Sequence, residues 1–253
     1  MTNLIIADKI AIGANQASAV YVGSTKVWPP FKPTDLSGCA VWLDAATITG
    51  VANGGSLSSW TNKGNVSSPG AAIFDGSAPT LRTNALNTIM PCVRTVSPSR
   101  IRFTATQVDV DYTFAYVARK WSAVVGRIFS SNWSIAGNPN TLYGFWGDRF
   151  DCAHVEAWLT PDVVVTATTA WKLYSGDASS STVPRMFTNG TLLMSGSAPI
   201  AKGFGSNLLL GGWSNDALEI PDGEYAEVVQ YNRKLTDVER QKVEQYLRIK
   251  WNM

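Results

Sequence analysis

The segment "CAHVEAWL", residues 152–159, combines side-chain types that could recognise a sugar. If the segment is one continuous strand, alternation gives it an apolar face and a polar face. The polar face offers an aromatic plane for stacking on a sugar ring, beside a carboxylate and an imidazole that hydrogen-bond hydroxyl groups. The apolar face comprises Ala153, Val155, Ala157 and Leu159, and the other face comprises Cys152, His154, Glu156 and Trp158.

We therefore predict a shallow carbohydrate site built from His154, Glu156 and Trp158. The alternative is that this strand buries the tryptophan against a loop or a neighbouring subunit. A second candidate lies in "GGWSNDALEIPDG", residues 211–223, where Trp213, Asn215, Asp216 and Asp222 could line a loop at the rim of the fold.

Catalytic signals are weak by comparison. His154 is the only histidine, which excludes metal sites built from several imidazoles and leaves one base for nucleophilic catalysis. The sequence has no nucleophile elbow and no glycine-rich phosphate loop before a helix. We predict no enzyme activity, no cofactor and no metal site.

Composition predicts a globular protein. The chain has 253 residues, of which 45% are hydrophobic and 16% charged, enough for one large domain with a small appendage. The 21 basic and 19 acidic residues are interspersed, so no strong field favours nucleic acid or an anionic membrane. Apolar runs fall short of the roughly 20 residues of a membrane helix. The three cysteines, Cys39, Cys92 and Cys152, are predicted to be buried and reduced.

Short β-type runs separated by turn residues fill the chain from about residue 39 to residue 231, which predicts an antiparallel sandwich or barrel. Asn189-Gly190 is typical of a type I′ hairpin turn, so its flanking strands should pair. The predicted strands are 39–44, 71–75, 100–104, 112–119, 127–131, 142–146, 153–159, 163–168, 170–174, 185–188, 191–194, 208–210 and 224–231.

One segment has helical periodicity instead. "LTDVERQKVEQYLRIKW" carries charges on one side and an apolar face on the other. Thr236 and Glu239 have the spacing of a capping box, which places the start of the helix. The apolar face is predicted to comprise Val238, Val243, Tyr246, Leu247 and Trp251.

The segment of residues 1–30 differs from the rest. "AVYVGSTKVWPP" predicts a hairpin around Gly23-Ser24, and Pro29, Pro30 and Pro33 then form a stiff spacer. Two strands alone are marginally stable in water, so the hairpin should pair with another sheet edge. We predict an attachment or oligomerisation segment, residues 1–30, before a main domain, residues 31–253. Its predicted interface residues are Val20, Val22, Val27 and Trp28, with packing against the main domain as the alternative for Trp28.

Several segments resemble, in order, pieces of concanavalin A-like, laminin G-like jelly-roll domains: "LSGCAVWLDAATITG", "GSLSSWTNKG", "FTNGTLL" and "GEYAEVVQYNRKLTDVERQKVEQYLRIKW". The resemblance covers most of residues 36–253. It implies an all-β fold of two packed antiparallel sheets with a C-terminal helix. It also implies rim calcium sites in some members, but no clear ligand set is present here.

Hydrolases of this superfamily carry Glu-x-Asp-x-x-Glu on one strand. Asp148, Asp151 and Glu156 in "DRFDCAHVEAW" do not match that spacing. A glycan-active hydrolase and a non-viral lectin nevertheless stay open as alternatives.

The N-terminal "KIAIGANQASAVYVGSTKVWP" is similar to a segment at the start of bacteriophage virion proteins. Together the two resemblances imply a tail, fibre or capsid-surface protein, with other virion proteins as partners, a homo-oligomer with a trimer favoured, and host-surface polysaccharide as a ligand. No secretory signal is recognisable at the N-terminus, so we expect assembly in a bacterial cytoplasm and residence in the virion.

Overall fold

A computed structural model describes residues 31–66, 72–104, 111–121, 126–131, 141–146, 149–160, 169–201, 207–212 and 220–253. It also describes the backbone of four short strands near the N-terminus: β1 (Ala11–Ile12), β2 (Asn15–Gln16), β3 (Val20–Val22) and β4 (Thr25–Trp28).

The first of two large sheets has eight strands in the described part of the chain. They are β5 (Cys39–Asp44), β7 (Thr80–Leu86), β8 (Met90–Thr95), β10 (Tyr112–Lys120), β15 (Lys172–Ser179), β16 (Thr182–Thr188), β17 (Thr191–Ser195) and β19 (Gly223–Tyr231). Their spatial order is β17-β16-β15-β10-β19-β8-β7, and β5 also pairs with β19.

The second sheet has seven strands among the described residues. They are β6 (Ile73–Asp75), β9 (Arg100–Thr104), β11 (Phe129–Ser131), β12 (Thr141–Trp146), β13 (Arg149–Val155), β14 (Ala157–Trp158) and β18 (Asn207–Leu210). The order is β14-β13-β12-β11-β18-β9-β6, and all pairs in both sheets are antiparallel.

Aromatic side chains between the two sheets form the centre of the core. The ring of Phe129 on β11 lies 4.7 Å from that of Phe114 and 4.8 Å from that of Tyr116, both on β10. Two tyrosine hydroxyls of the first sheet form hydrogen bonds to backbone carbonyls on the side of the second sheet. Tyr116 donates to the Tyr143 carbonyl at 2.8 Å, and Tyr225 donates to the Ile128 carbonyl at 3.0 Å. The predicted two-sheet sandwich is confirmed.

Strand β19 is the centre of the first sheet, and all nine of its residues are buried. One edge pairs with β10, and the other edge is shared by β5 and β8. Because both of its faces are covered, "GEYAEVVQY" does not alternate between apolar and polar residues.

Helix α1 (Asp237–Trp251) begins as its capping box predicts. The Thr236 hydroxyl accepts from the Glu239 N–H at 3.2 Å, and the Glu239 carboxylate accepts from the Thr236 N–H at 2.9 Å. Val243, Leu247 and Trp251 are buried as predicted. Val238 is 62% exposed, so its placement on the apolar face was wrong. It precedes Val243 by five residues, which rotates it about 140° around the helix axis.

A buried carboxylate joins α1 to the sheet. Glu227 on β19 accepts from the Trp42 indole at 2.6 Å, the Trp251 indole at 2.7 Å, the Tyr246 hydroxyl at 2.9 Å and the Lys250 ammonium at 2.6 Å. Burial raises the pKa of Glu227, while Lys250 opposes that rise.

Among the described residues, no helix is long and apolar enough to cross a membrane.

The remaining strand and turn predictions agree with the structure in part. Asn189 and Gly190, with φ of 50° and 84°, form the turn between the paired strands β16 and β17, as predicted. Strands β7 and β8 were not predicted, because "TLRTNAL" and "MPCVRT" contain polar residues and a proline typical of loops. The predicted strand 163–168 lies outside the described residues.

The N-terminal hairpin is present in the backbone. Strands β3 and β4 pair antiparallel with Val20 opposite Trp28 and Val22 opposite Thr25. The turn residues, and the side chains of Val20, Val22, Val27 and Trp28, lie outside the described part of the chain. The division at residue 30 and the interface role therefore stay predictions.

The three cysteines are buried free thiols, as predicted.

Candidate functional site

The predicted sugar-binding segment is a tight hairpin and not one strand. Strand β13 ends at Val155, Glu156 takes φ of 59°, and β14 returns with Ala157 opposite Val155. The prediction of a continuous strand over 153–159 was wrong, and so was Ala157 as a core residue, because it is exposed. The alternation of apolar and polar residues does not reveal this reversal, because the same alternation continues through Glu156 from one strand of the hairpin into the other.

The reversal nevertheless brings two of the predicted site residues into contact. Trp158 lies opposite His154 across the hairpin, and their ring centroids are 5.1 Å apart at an angle of 85°. His154 is half-buried, whereas Trp158 is 37% exposed and one of the few large hydrophobic side chains on the described surface. An aromatic plane held edge-on by an imidazole has the composition of a shallow sugar-stacking surface.

Glu156 points toward a different segment. Its exposed side chain accepts a hydrogen bond from the Ala201 N–H at 3.2 Å. The chain just beyond the hairpin is attached to the first sheet, because Thr160 and Ser195 exchange backbone hydrogen bonds of 3.0 and 2.9 Å. These bonds hold the hairpin at the end of the second sheet against the edge strand β17.

In the second predicted group, Trp213, Asn215 and Asp216 lie outside the described residues, so their role stays a prediction. Asp222 of the same segment is buried, and its carboxylate accepts from the Ser97 N–H at 2.9 Å. Among the described residues, no cluster of three or more His, Cys, Asp and Glu side chains could hold a metal ion.

Asp151, one of the carboxylates near the hairpin, is committed to structural contacts. It is 5% exposed, takes φ of 56° at a bulge in β13, and accepts from the Tyr174 hydroxyl and the Lys172 ammonium of the opposite sheet. Burial raises the pKa of Tyr174 far above its ordinary value, and the Asp151 charge adds to the rise. A buried carboxylate with a donor from the opposite sheet on each of its two oxygens ties the sheets together.

Comparison with solved structures identifies the class of fold. Domain 4 of AbnA, a GH43 extracellular arabinanase from Geobacillus stearothermophilus solved in complex with arabinotriose, matches with a TM-score of 0.51 and 16% identity, over 70% of this chain and 88% of that chain. The binding domain of botulinum neurotoxin DC in complex with SialylT matches with a TM-score of 0.52 and 9% identity, over 83% of this chain and 52% of that one.

A structure of botulinum neurotoxin type C, whose cell entry depends on interaction with two ganglioside molecules, gives a TM-score of 0.54 and 8% identity, over 82% of this chain and 50% of that chain. This chain thus spans about half the length of the neurotoxin chains it matches. No protein-family model and no curated protein sequence matches it. At these identities the likeness shows the fold, a two-sheet antiparallel jelly-roll sandwich.

Proposed function

We propose that this protein is a non-enzymatic, glycan-binding jelly roll carried on a bacteriophage particle. The observation that carries the glycan-binding part is the exposed Trp158 held against His154 at the end of the second sheet. The fold supports it by analogy, because similar domains were solved with arabinotriose and SialylT. Contact with host-surface polysaccharide is the corresponding role on a virion.

The virion part of the proposal rests on the N-terminal segment. Its "VYVGSTKVW" resembles a segment of phage virion proteins, and the paired strands β3 and β4 agree with the expected hairpin. A two-stranded hairpin has too small a core to be stable alone, so it completes a sheet edge of a neighbouring virion chain in our proposal, within a homo-oligomer.

Binding is tested with the full-length protein on an array of bacterial surface glycans, followed by titration of the best ligand against Trp158→Ala. We expect the substitution to weaken binding about tenfold, since it removes the stacking plane. Leu192→Ala is the matched control, because Leu192 is a 53% exposed hydrophobic residue on β17 and should leave the affinity unchanged. Equal affinity of wild type and Trp158→Ala for every ligand would overturn this site.

Attachment is tested separately by deleting residues 1–30 and measuring incorporation into particles. Loss of incorporation with glycan binding retained is the expected result, and unchanged incorporation would contradict the role of the segment. Turnover of a bound polysaccharide by the wild-type protein would instead favour the hydrolase alternative.

A further inference from the structure

The outer face of the first sheet carries a row of charged side chains built around a buried glutamate. Glu224 on β19 is fully buried. Its Oε1 accepts from Nε of Arg94 at 2.7 Å, and its Oε2 accepts from Nε of Arg119 at 2.6 Å. The three residues are direct neighbours across β8, β19 and β10. The carboxylate therefore fixes both guanidinium groups in place.

A tryptophan lies against each of these arginines. Cζ of Arg94 is 4.2 Å from the ring centroid of Trp121, and Cζ of Arg119 is 5.1 Å from that of Trp171. The pairing of Ala118 with Lys172 brings Trp171 beside Arg119 on the next strand. From Arg94 to Trp171 the row crosses three strand spacings, about 14 Å. We call these five residues, Trp121, Arg94, Glu224, Arg119 and Trp171, the tryptophan–arginine strip.

Hydrogen-bond donors in the tryptophan–arginine strip outnumber its acceptors. The indole N–H groups of Trp121 and Trp171 are buried and have no hydrogen-bond partner among the described residues. Glu224 engages Nε of both arginines and Nη2 of Arg94, and within the described chain the other guanidinium nitrogens have no acceptor. The two arginine side chains are 21% and 25% exposed, so a ligand can reach them. Such a surface favours a ligand rich in acceptors.

The charge of this face selects an anion. Arg82 on β7 lies opposite Cys92. Because Cys92 precedes Arg94 by two residues on β8, the side chains of Arg82 and Arg94 lie on the same side of the sheet. Among the described residues Arg82 has no ion-pair partner, while Arg94 and Arg119 share the carboxylate of Glu224, so positive charge exceeds negative charge among these four residues. Guanidinium groups bind carboxylates with two parallel hydrogen bonds, and indole planes pack against the apolar C–H face of a sugar ring.

We propose that the tryptophan–arginine strip binds an acidic saccharide, a chain of uronic acid residues. The carboxylates contact the guanidinium of Arg82 and the free nitrogens of Arg94 and Arg119, and the sugar rings pack beside Trp121 and Trp171. The tryptophan–arginine strip lies on the first sheet, whereas the hairpin of His154 and Trp158 belongs to the second. Ligand binding at either site can therefore be confirmed or contradicted independently of the other.

The test is calorimetric titration of the full-length protein with oligogalacturonate, with neutral dextran oligosaccharide and with dextran sulfate. We expect binding of oligogalacturonate but not of neutral dextran, with an affinity that falls as salt is added. Trp171→Ala and Arg82→Ala should each weaken it about tenfold, by removing a stacking plane and a cation respectively. Arg82→Ala removes no ion pair, so it tests the proposal even if Trp171→Ala fails to fold.

Two control variants separate this site from general charge and from the hairpin. Arg248→Ala removes one exposed cation from α1, and Trp158→Ala removes the hairpin tryptophan; both should bind oligogalacturonate like wild type. The proposal fails if oligogalacturonate does not bind, or if Arg248→Ala loses as much affinity for it as Arg82→Ala does. It also fails if dextran sulfate binds more tightly than oligogalacturonate and Trp171→Ala changes the affinity for neither ligand. Loss of oligogalacturonate binding in Trp158→Ala alone would assign the ligand to the hairpin.

Discussion

The indole N–H of Trp251, the last residue of α1, donates to the buried carboxylate of Glu227 at 2.7 Å. This bond crosses from the C-terminal helix to the central strand of the first sheet. The same carboxylate also accepts from Trp42 of β5, so one side chain holds a strand, the sheet and the helix together. Such a carboxylate is costly to lose, because the buried indole donors of Trp42 and Trp251 are then left without their acceptor.

Replacing Glu227 should therefore destabilise the protein strongly. We expect Glu227→Ala to lower the free energy of unfolding by about 3 kcal/mol, measured by urea denaturation. Tyr246→Phe removes one hydroxyl from the same carboxylate and should cost about 1 kcal/mol. Gln245→Ala, at an exposed position of α1, is the control. If Glu227→Ala costs no more than Tyr246→Phe, the carboxylate does not hold the helix.

The capping box should make part of the stability depend on pH. Hydrogen bonds from Arg233, then from the Thr236 backbone, lower the pKa of Glu239 from 4.5 to about 2. Because folding lowers this pKa, the stabilisation is complete above pH 4.5 and is lost as the pH falls through about 2. The carboxylate is partly exposed, so its contribution is about 1 kcal/mol or less.

Glu239→Gln tests this dependence. The difference in the free energy of unfolding between wild type and variant should be present at neutral pH and should shrink as the pH falls below 4.5. The control is Gln245→Ala, at an exposed and non-ionisable position of α1, whose effect on the free energy of unfolding should not change over this pH range. A difference for Glu239→Gln that stays constant down to pH 2 would contradict the assignment.

The hairpin turn between β16 and β17 depends on the backbone of Gly190. Its φ of 84° is unfavourable for residues with a Cβ, while the space around a Cβ is adequate, the closest atom being Glu244 Oε2 at 3.6 Å. Gly190→Ala should therefore cost about 1 kcal/mol through backbone strain alone. Thermal unfolding measures it, with Thr191→Ala at the adjacent exposed position as the control. Equal melting temperatures for wild type and Gly190→Ala would show that the turn adopts another conformation.

The three cysteines should be unreactive in the native protein. Burial, followed by the nearby Glu227 charge, raises the pKa of Cys39 to about 12, and burial likewise raises that of Cys92. Because the thiolate is the reactive form, a thiol reagent at pH 8 should label none of them in the folded state and all three in urea. Rapid labelling of one thiol under native conditions would mean that its strand opens locally.

Features that depend on neighbouring residues could be predicted from the sequence. Thr236 and Glu239 are three residues apart, so their hydrogen bonds form whenever the helix forms. Asn189-Gly190 is likewise local, since its turn needs only two residues that tolerate positive φ. The many short β-type runs were enough to predict a sandwich, because alternation and turn chemistry repeat along the chain.

The candidate sites depended on contacts between distant segments. Arg94 lies 130 residues from Glu224 and Arg119 lies 105 residues from it, and only the pairing of β8, β19 and β10 brings them together. The contact of His154 with Trp158 required the reversal at Glu156, which is invisible to alternation. Local chemistry thus specified the caps, the turn and most strands, whereas strand register, which is set by burial of the whole core, decided which side chains meet on each surface.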